Sequence, residues 1–243
     1  MHMSDKKKPH PHGKHRERMR ARYMRAGLDA MADHEVLEML LYYAIPRQDT
    51  NKMAHKILSE FGSLHGLFEA GPAEIQKRCG LTENTAVLLS MVAPLARRYS
   101  QSKWGKRTVF ANTRDLGEYA KALFIGETIE CFYLIFLDNR FRLISTELLA
   151  KGTIDRVELY PKEIVRRAIY QNASYVVLTH NHPSGSKSIS AADIDATSHI
   201  INLLDGLEIV VLDHVVVCGE DYVSLAGKRI LGLQGIDGAL DKT

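Results

Sequence analysis

Two histidines and one aspartate stand at a spacing that suits a divalent metal ion. His180 and His182 are separated by one residue and follow the apolar run 175–178, which predicts a buried strand. Because side chains alternate along a strand, both imidazoles point to the same side. A turn at residues 183–185 leads on to Asp193, in the first turn of a predicted helix. Two imidazoles and one carboxylate, with a fourth position left to water, form the ligand set of a catalytic zinc centre.

The complete motif is specific enough to indicate a family. It reads His-x-His, seven residues, Ser, two residues and Asp, formed by His180, His182, Ser190 and Asp193. This motif resembles the signature of the JAB/MPN (JAMM) metalloproteases, and the stretch HNHPSG at residues 180–185 resembles that of their RadC branch. The resemblance implies an α/β domain of the JAB/MPN, cytidine-deaminase-like type, in which helices flank a mixed sheet. It also implies a bound Zn²⁺ ion and hydrolysis of peptide or isopeptide bonds.

The resemblance also points to two catalytic residues. In JAB/MPN proteases, a glutamate before the first long strand takes a proton from the attacking water. Glu130 directly precedes the predicted strand Cys131–Leu137 and matches that position, whereas Glu147 lies on a returning strand and Glu163 in the first turn of a helix. Ser190 matches the family serine whose hydroxyl helps to stabilise the oxyanion. The same hydroxyl could equally serve only as a helix N-cap.

Three further residues lie near the motif in sequence or in its predicted elements. Asn181 stands where the peptidase branches commonly have Ser or Thr, although it fits the RadC branch. The difference bears on activity more than on metal binding. His214 follows Asp213 near a predicted strand end and is a candidate for orienting a ligand, although an ordinary strand-end pair is the alternative. His199, six positions beyond Asp193, is poorly aligned with that residue's helix face and is left out.

Charge and element pattern divide the 243 residues into five segments. Residues 27–100 carry helical patterns for about four helices, the last of them over residues 82–99. Strands and helices alternate from residue 109 onward, and the predicted strands include residues 152–159, 208–212 and 215–217. The predicted segments are a basic arm expected to be disordered (1–26), a helical domain (27–100), a linker (101–108), a JAB/MPN-type domain (109–231) and a flexible tail (232–243).

Nucleic acid is a second partner that the N-terminal part of the chain suggests. Residues 1–26 hold nine Lys and Arg against two acidic residues, net +7, which leaves −4 for the rest of a chain of net charge +3. Such an arm suits phosphate contact, or it is only a solvated tail. Residues 75–84 resemble the helix-hairpin-helix DNA-backbone module that precedes the RadC-type domain. Thr82 replaces the second glycine of the usual Gly-x-Gly turn, so a hairpin that merely packs is the alternative.

Composition excludes several other classes. No apolar run reaches the length of a membrane span and the N-terminus lacks the apolar core of a signal peptide, so we expect a cytoplasmic protein. Cys79, Cys131 and Cys218 are far apart and are expected to be free thiols. A zinc deaminase needs H-x-E and P-C-x-x-C motifs, which are absent. Two functions stay open: a zinc-dependent metallopeptidase, or a DNA-associated repair or accessory protein whose metal is structural or vestigial.

Overall fold

The structure, a computed structural model, describes residues 13–105, 108–152 and 161–240. The chain divides into two compact units, Met1–Leu95 and Ala96–Thr243, called here the helical unit and the sheet unit. Each unit builds its own apolar core. Among the described residues, no helix combines the length and apolarity that crossing a bilayer requires.

The helical unit consists of short helices joined by brief turns. Their bounds are α1 Gly13–Ala26, α2 Asp33–Ala44, α3 Asn51–Phe61, α4 Leu64–Glu69, α5 Pro72–Cys79 and α6 Glu83–Ser90, and α7 Val92–Ser102 runs across the unit boundary. Apolar residues at helical spacing, such as Leu37 and Leu41 of α2, close the core with Ile57 of α3 and Ile75 of α5. Burial of these side chains holds together helices that are too short to be stable alone.

The helices of this unit differ from the prediction in two places. The six-residue α4 was missed because so short a helix shows no periodicity. It begins after Ser63, whose hydroxyl accepts a hydrogen bond from the Gly66 N–H at 3.0 Å. The helix predicted over residues 82–99 is interrupted at Met91 and forms α6 and α7 instead.

Residues 13–26 form helix α1, so the expectation of a disordered arm was wrong for them. The Arg16 guanidinium donates to carbonyl oxygens at the C-terminal end of α2, which lack helical partners. These oxygens belong to Tyr42, Ile45, Pro46 and Gln48, at 2.7 to 3.4 Å. Met19 is buried against α2 as well. Part of the basic charge therefore serves folding, while residues 1–12 lie outside the described residues.

The sheet unit has the α/β architecture with a mixed, helix-flanked sheet that was predicted. Its elements are α8 Thr113–Leu123, β1 Cys131–Leu137, β2 Leu143–Lys151, α9 Pro161–Tyr170, β3 Tyr175–Asn181, α10 Ala191–Asp205, β4 Val210–Cys218, β5 Asp221–Ser224, a 3-10 turn Ile230–Gly232 and α11 Gly235–Leu240. The strand order is β2-β1-β3-β4-β5. β3 and β4 are parallel and the other neighbours are antiparallel.

Helices cover both faces of this sheet. α9 and α10 pack on one face through Ile164 and Ile200, and α8 and α11 pack on the other through Leu116 and Ile236. We call these the α10 face and the α8 face. Strand alternation divides β1 between them. Phe132, Leu134 and Phe136 lie on the α10 face, whereas Cys131, Ile135 and Leu137 lie on the α8 face.

The predicted linker and the predicted flexible tail both contain packed residues. The linker expected at residues 101–108 begins within α7, and Trp104 packs against Phe110 and Tyr119 with ring centroids 5.7 Å from each. The tail expected from residue 232 contains α11, whose Ile236 is fully buried. Burial of aromatic and aliphatic side chains explains why both segments are packed, because each of them completes the core on the α8 face.

The remaining predicted strands of the sheet unit have mixed outcomes. The strand predicted over residues 152–159 lies, apart from Gly152, outside the described residues. The two strands predicted over residues 208–212 and 215–217 are one continuous strand, β4. Asp213 and His214, which interrupt the apolar pattern, lie in the middle of that strand.

Candidate metal centre

The side chains of His180, His182 and Asp193 converge at the end of β3. His180 Nε2 lies 3.0 Å from His182 Nε2 and 3.5 Å from Asp193 Oδ1. Metal–ligand distances of about 2.0 to 2.2 Å in a tetrahedral site separate the ligand atoms by about 3.3 Å. The three atoms can therefore bind one ion. His180 is buried and the other two residues are partly exposed, so one side of the site opens to solvent.

The turn after β3 fixes the ring of His182. The Gly185 N–H donates to the His182 carbonyl at 2.9 Å, and Gly185 takes a left-handed φ of +74° that favours glycine. The turn brings the Ser186 carbonyl within 2.8 Å of His182 Nδ1. Because a carbonyl only accepts, Nδ1 carries the hydrogen and Nε2 keeps a lone pair for a metal.

Asp193 is held by the residue that begins its helix. Its Oδ2 accepts from the Ser190 N–H at 2.9 Å and from the Ser190 hydroxyl at 2.7 Å, while the Asp193 N–H donates back to that hydroxyl at 3.1 Å. Partial burial acts to raise the pKa of Asp193, but these hydrogen bonds and the nearby imidazoles outweigh it and leave the pKa below its usual value. Oδ1 is left to face His180.

A chain of hydrogen bonds sets the tautomer of His180. The Thr197 hydroxyl donates to the Asp193 carbonyl at 2.5 Å, so its oxygen accepts from His214 Nδ1 at 2.6 Å. His214 Nε2 is then an acceptor, and it receives the hydrogen of His180 Nδ1 at 2.8 Å. His180 Nε2 therefore keeps its lone pair for a metal. Thr197 and His214 together hold the ring of His180, one of the three candidate ligands, and lie outside the cluster of ligand atoms.

A β-bulge in β4 brings His214 onto the α10 face. Val176 pairs with Val211 but Val177 pairs with Asp213, so Leu212 is an extra residue in the ladder. The bulge reverses the alternation and turns His214 toward His180, whose ring centroid is 4.9 Å away. The Asp213 carboxylate accepts three hydrogen bonds beside the bulge. They come from the His214 N–H at 2.7 Å, the Ala226 N–H at 2.9 Å and the Ser224 hydroxyl at 2.6 Å.

Burial keeps the rings of His180 and His214 neutral. It lowers the pKa of His180 to about 4 and that of His214 to about 3. Burial also raises the pKa of Asp213 to about 6, although its hydrogen bonds act in the opposite direction. Metal ligation requires neutral imidazole, so His180 can bind an ion at neutral pH without first losing a proton.

Glu130 lies immediately before β1, outside the cluster of three ligand groups. Its carbonyl accepts from the Gly152 N–H at 3.0 Å, which extends the pairing of β1 with β2 by one residue. Strand alternation places Glu130 on the same face as Phe132, whose ring stacks on that of His180 at 5.9 Å. The residue is partly exposed, and by this alternation it shares the α10 face with the candidate ligand His180.

The other two glutamates are engaged elsewhere. Glu147 accepts a hydrogen bond from Gln171 at 2.5 Å and lies 3.3 Å from Arg167. Glu163 forms ion pairs of 2.7 Å with Arg166 and Arg167, and their hydrogen bonds lower its pKa to about 2. These contacts explain why both glutamates are where they are, so neither carboxylate needs a role at the metal centre.

Two features of the site were missed by sequence reasoning. Thr197 had a usable signal, because it lies four residues after Asp193 on the same face of α10. Asn181 was noted only as a departure, yet its side chain bonds to the backbone on both sides of Glu130. Its partners lie 50 and 52 residues away in sequence, so no local pattern could reveal them.

The helical hairpin of α5 and α6 resembles a DNA-backbone module only in part. Gly80 ends α5 with a left-handed φ of +65°, as such a turn requires. At the position of the second glycine, the Thr82 hydroxyl caps α6. It accepts from the Thr85 N–H at 3.4 Å and lies 2.9 Å from the Thr85 hydroxyl. A side chain therefore occupies the helix end that a phosphate would approach.

Two family models match the chain. The RadC-like JAB domain matches residues 110–230, and the UPF0758 N-terminal domain matches residues 12–87. The chain belongs to the RadC-like family. The JAB match contains Glu130, the three candidate ligands and His214, so the family predicted from the motif is confirmed. The UPF0758 match begins at residue 12 and includes α1, in keeping with the packing of that helix in the helical unit.

Proposed function

We propose that the sheet unit is a zinc-dependent hydrolase of the JAMM metallopeptidase type, which cleaves peptide or isopeptide bonds. The convergence of three metal-binding atoms supports this function most. His180 Nε2, His182 Nε2 and Asp193 Oδ1 lie together at separations that suit one tetrahedral ion. In each side chain, the other polar atom (Nδ1 of the two histidines, Oδ2 of Asp193) makes a hydrogen bond that orients the group.

The donor set favours zinc, with a position left for water. Two imidazole nitrogens and one carboxylate oxygen are borderline donors that suit Zn²⁺ better than Mg²⁺ or Ca²⁺, which prefer oxygen. Three protein ligands on a partly exposed site match a catalytic rather than a structural zinc centre. When bound, the ion would supply Lewis acidity toward the substrate carbonyl and the attacking water.

In this proposal Glu130 is the general base. Its carboxylate takes the proton of the attacking water and passes it to the leaving amine. Its position immediately before β1 supports the assignment, because strand alternation gives it the same side as Phe132, whose ring stacks on that of His180. Positioned proton transfer contributes about 10²- to 10⁴-fold in rate, so loss of the carboxylate would reduce cleavage strongly.

Ser190 is assigned to the oxyanion as a second step of the proposal. Its hydroxyl hydrogen points to Asp193 Oδ2 at 2.7 Å, and its oxygen caps α10. A hydroxyl has one hydrogen, so support of a developing oxyanion requires that hydrogen to rotate from Asp193 to the substrate oxygen. The Ser190 N–H still bonds to Oδ2 at 2.9 Å after such a rotation and keeps the carboxylate in place.

A peptide-library assay tests this proposal. The wild type loaded with Zn²⁺ is expected to cleave, and Glu130→Gln is expected to cleave about 100-fold more slowly while retaining zinc. Glu147→Gln is a matched control with an unchanged rate, because Glu147 is paired away from the site. Equal rates for Glu130→Gln and the wild type, or cleavage that persists after chelation of the metal, would contradict the assignment.

Contact with DNA is a second candidate, which the surface of α1 favours. Four cations of this helix are exposed, against one exposed acidic residue, Glu17. The cations are Lys14, Arg18, Arg20 and Arg25. Arg16 and Arg22 are engaged within the unit, with Arg22 bonded to Glu35 at 2.6 Å. A basic helix of this kind suits the phosphate backbone and needs no base contact.

Salt dependence separates this candidate from the hydrolase. Replacement of Arg18, Arg20 and Arg25 by Gln spares the buried contacts of α1 and is expected to reduce the slope of log affinity against log salt for duplex DNA. Each lost phosphate contact changes that slope by about 0.9. Glu130→Gln is expected to leave DNA affinity unchanged. Slopes that are equal for the wild type and the triple variant would exclude α1 as a DNA contact.

A further inference from the structure

The side chain of Asn181 bridges two backbone groups on either side of Glu130. Its Oδ1 accepts a hydrogen bond from the Cys131 N–H at 2.7 Å, and its Nδ2 donates to the Ile129 carbonyl at 3.1 Å. Asn181 is 4% exposed, so the bond to the Cys131 N–H is buried, while the bond to the Ile129 carbonyl is partly buried. Bonds in such surroundings are costly to lose, because their partners would remain buried and unpaired.

The bridge stands where the ladder between β1 and β3 ends. The last backbone pair of that ladder joins Phe132 to His180. Beyond this pair, the side-chain amide of Asn181 bonds to the backbone of Cys131 and Ile129. On the opposite side, the Glu130 carbonyl accepts from the Gly152 N–H at 3.0 Å. The backbone that carries the Glu130 side chain is therefore held from both sides.

We propose that Asn181 is the positioning residue for Glu130. This inference rests on the proposed function, because it concerns Glu130 as the general base. Strand alternation directs His180 and His182 to the metal, while Asn181 between them reaches the chain segment that carries the base. Three consecutive residues thus set the distance between the metal and the base.

The amide group suits this role better than a hydroxyl does. It presents an acceptor and a donor side by side, which match the N–H of Cys131 and the carbonyl of Ile129. The Ser or Thr hydroxyl that the peptidase branches commonly have at this position is one bond shorter and offers a single hydrogen. The departure from Ser or Thr at Asn181 therefore has a structural consequence at Glu130.

Two variants and one matched control test the inference. Asn181→Leu keeps the shape of the side chain and removes both bonds. Asn181→Thr is a second variant, which introduces a residue type that strands favour. Thr179→Val is the control, because Thr179 lies two residues earlier on the same side of β3. Its buried hydroxyl donates to the Val215 carbonyl at 2.7 Å, away from Glu130.

The first measurement is amide hydrogen exchange in the metal-free protein. The Cys131 N–H is expected to exchange about tenfold faster or more in Asn181→Leu than in Thr179→Val, since a net loss of about one hydrogen bond corresponds to roughly that factor. Equal exchange at Cys131 in the two variants would overturn the inference. This readout requires neither metal nor substrate.

The second measurement uses the zinc-loaded protein and a fluorogenic peptide chosen from the library. Zinc content is expected to be unchanged in both Asn181 variants, and kcat is expected to fall with KM nearly unchanged, because the base acts in the chemical step. The double variant Asn181→Leu with Glu130→Gln is expected to be no slower than Glu130→Gln alone. Multiplying effects, or a kcat equal to that of Thr179→Val, would overturn the inference.

The outcomes separate this inference from the proposed function. If Glu130→Gln lowers kcat and the Asn181 variants do not, only the positioning role is lost. If Glu130→Gln itself cleaves as fast as the wild type, the general base is wrongly assigned, and the role of Asn181 falls with it.

Discussion

His180 Nδ1 lies 2.8 Å from Nε2 of His214, a residue that binds no metal in this arrangement. The contact joins β3 to the bulged part of β4, and both rings are buried. Because the neutral His214 accepts at Nε2, the hydrogen of His180 resides on Nδ1 and the opposite nitrogen is free. The metal-binding state of His180 therefore depends on His214 and on the Thr197 hydroxyl behind it.

The first prediction concerns His214. His214→Leu removes the acceptor of the His180 ring, so its zinc affinity is expected to fall about 10- to 100-fold, the usual effect of losing the partner of a ligating histidine. Competition with a chromogenic chelator measures the affinity. His199→Gln is the control, since His199 is an exposed histidine on α10. Equal zinc affinity for the wild type and His214→Leu would show that the contact does not support ligation.

The second prediction concerns Thr197. Thr197→Val keeps the volume but leaves His214 Nδ1 without its acceptor, which is expected to destabilise the sheet unit by about 1 to 3 kcal/mol. Zinc affinity is expected to fall by about tenfold or less, since Thr197 acts through His214. Thr197→Ser restores the hydroxyl and is expected to recover the affinity. If Thr197→Val and Thr197→Ser have equal zinc affinities in chelator competition, the hydroxyl has no part in the site.

The convergence of the three candidate ligands was predictable from sequence, and the hydrogen bonds that hold them were predictable only in part. His180 and His182 follow a buried apolar strand, and Asp193 opens a capped helix, so period-two and capping rules place all three. His214 was harder to place, because the extra residue Leu212 reverses the alternation along β4. A bulge depends on pairing with another strand, and a single strand pattern contains no sign of it.

The third prediction concerns pH. Burial lowers the pKa of His180 to about 4 and that of His214 to about 3, against an ordinary value of 6.5. Below pH 6.5 these two rings bind protons in the unfolded chain but not in the native protein, which lowers stability as pH decreases from 6.5 toward 4. Asp213, whose pKa burial raises to about 6, binds its proton first in the native protein and offsets about one of the two histidines, so a net decline remains. The slope is at most about 1.4 kcal/mol per pH unit for each histidine.

Urea unfolding of the metal-free protein, followed by Trp104 fluorescence, measures this effect. Trp104 is the single tryptophan and packs in the sheet unit. His214→Leu is expected to show a shallower decline between pH 6.5 and 5, because it has lost one of the two groups. A wild-type stability that rises as pH decreases over this interval would refute the assignment of neutral, buried rings.

The fourth prediction concerns α1. Arg16 donates to the carbonyls after α2 and its guanidinium lies 4.5 Å from the centre of the Tyr42 ring, so Arg16→Ala is expected to destabilise the helical unit by about 1 to 3 kcal/mol. Arg18→Ala, at an exposed position on the same helix, is expected to change stability by less than about 0.5 kcal/mol. Hydrogen exchange of the backbone amides in α1 and α2 measures the change in stability of each variant. Equal exchange in the two variants would show that α1 is not held by Arg16.

The folding of residues 13–26 could not be predicted from composition. Nine Lys and Arg among 26 residues indicate a solvated arm when they are read locally. Arg16 and Arg22 have partners that lie further along the chain, in the carbonyls after α2 and in Glu35, and Met19 is buried against α2. Capping contacts between distant segments are a tertiary property, whereas the apolar periodicity of α2 and α3 is visible in the sequence itself.

Metal stoichiometry tests the central claim most directly, namely that His180, His182 and Asp193 bind one zinc ion. Purified protein is equilibrated with Zn²⁺, freed of excess ion and measured by mass spectrometry of the metal. We expect about one zinc per chain in the wild type and in Asp195→Asn, an exposed control on the same helix, and a large loss in His182→Ala and Asp193→Asn. Zinc content that is equal in all four proteins would contradict the metal centre and the hydrolase built on it.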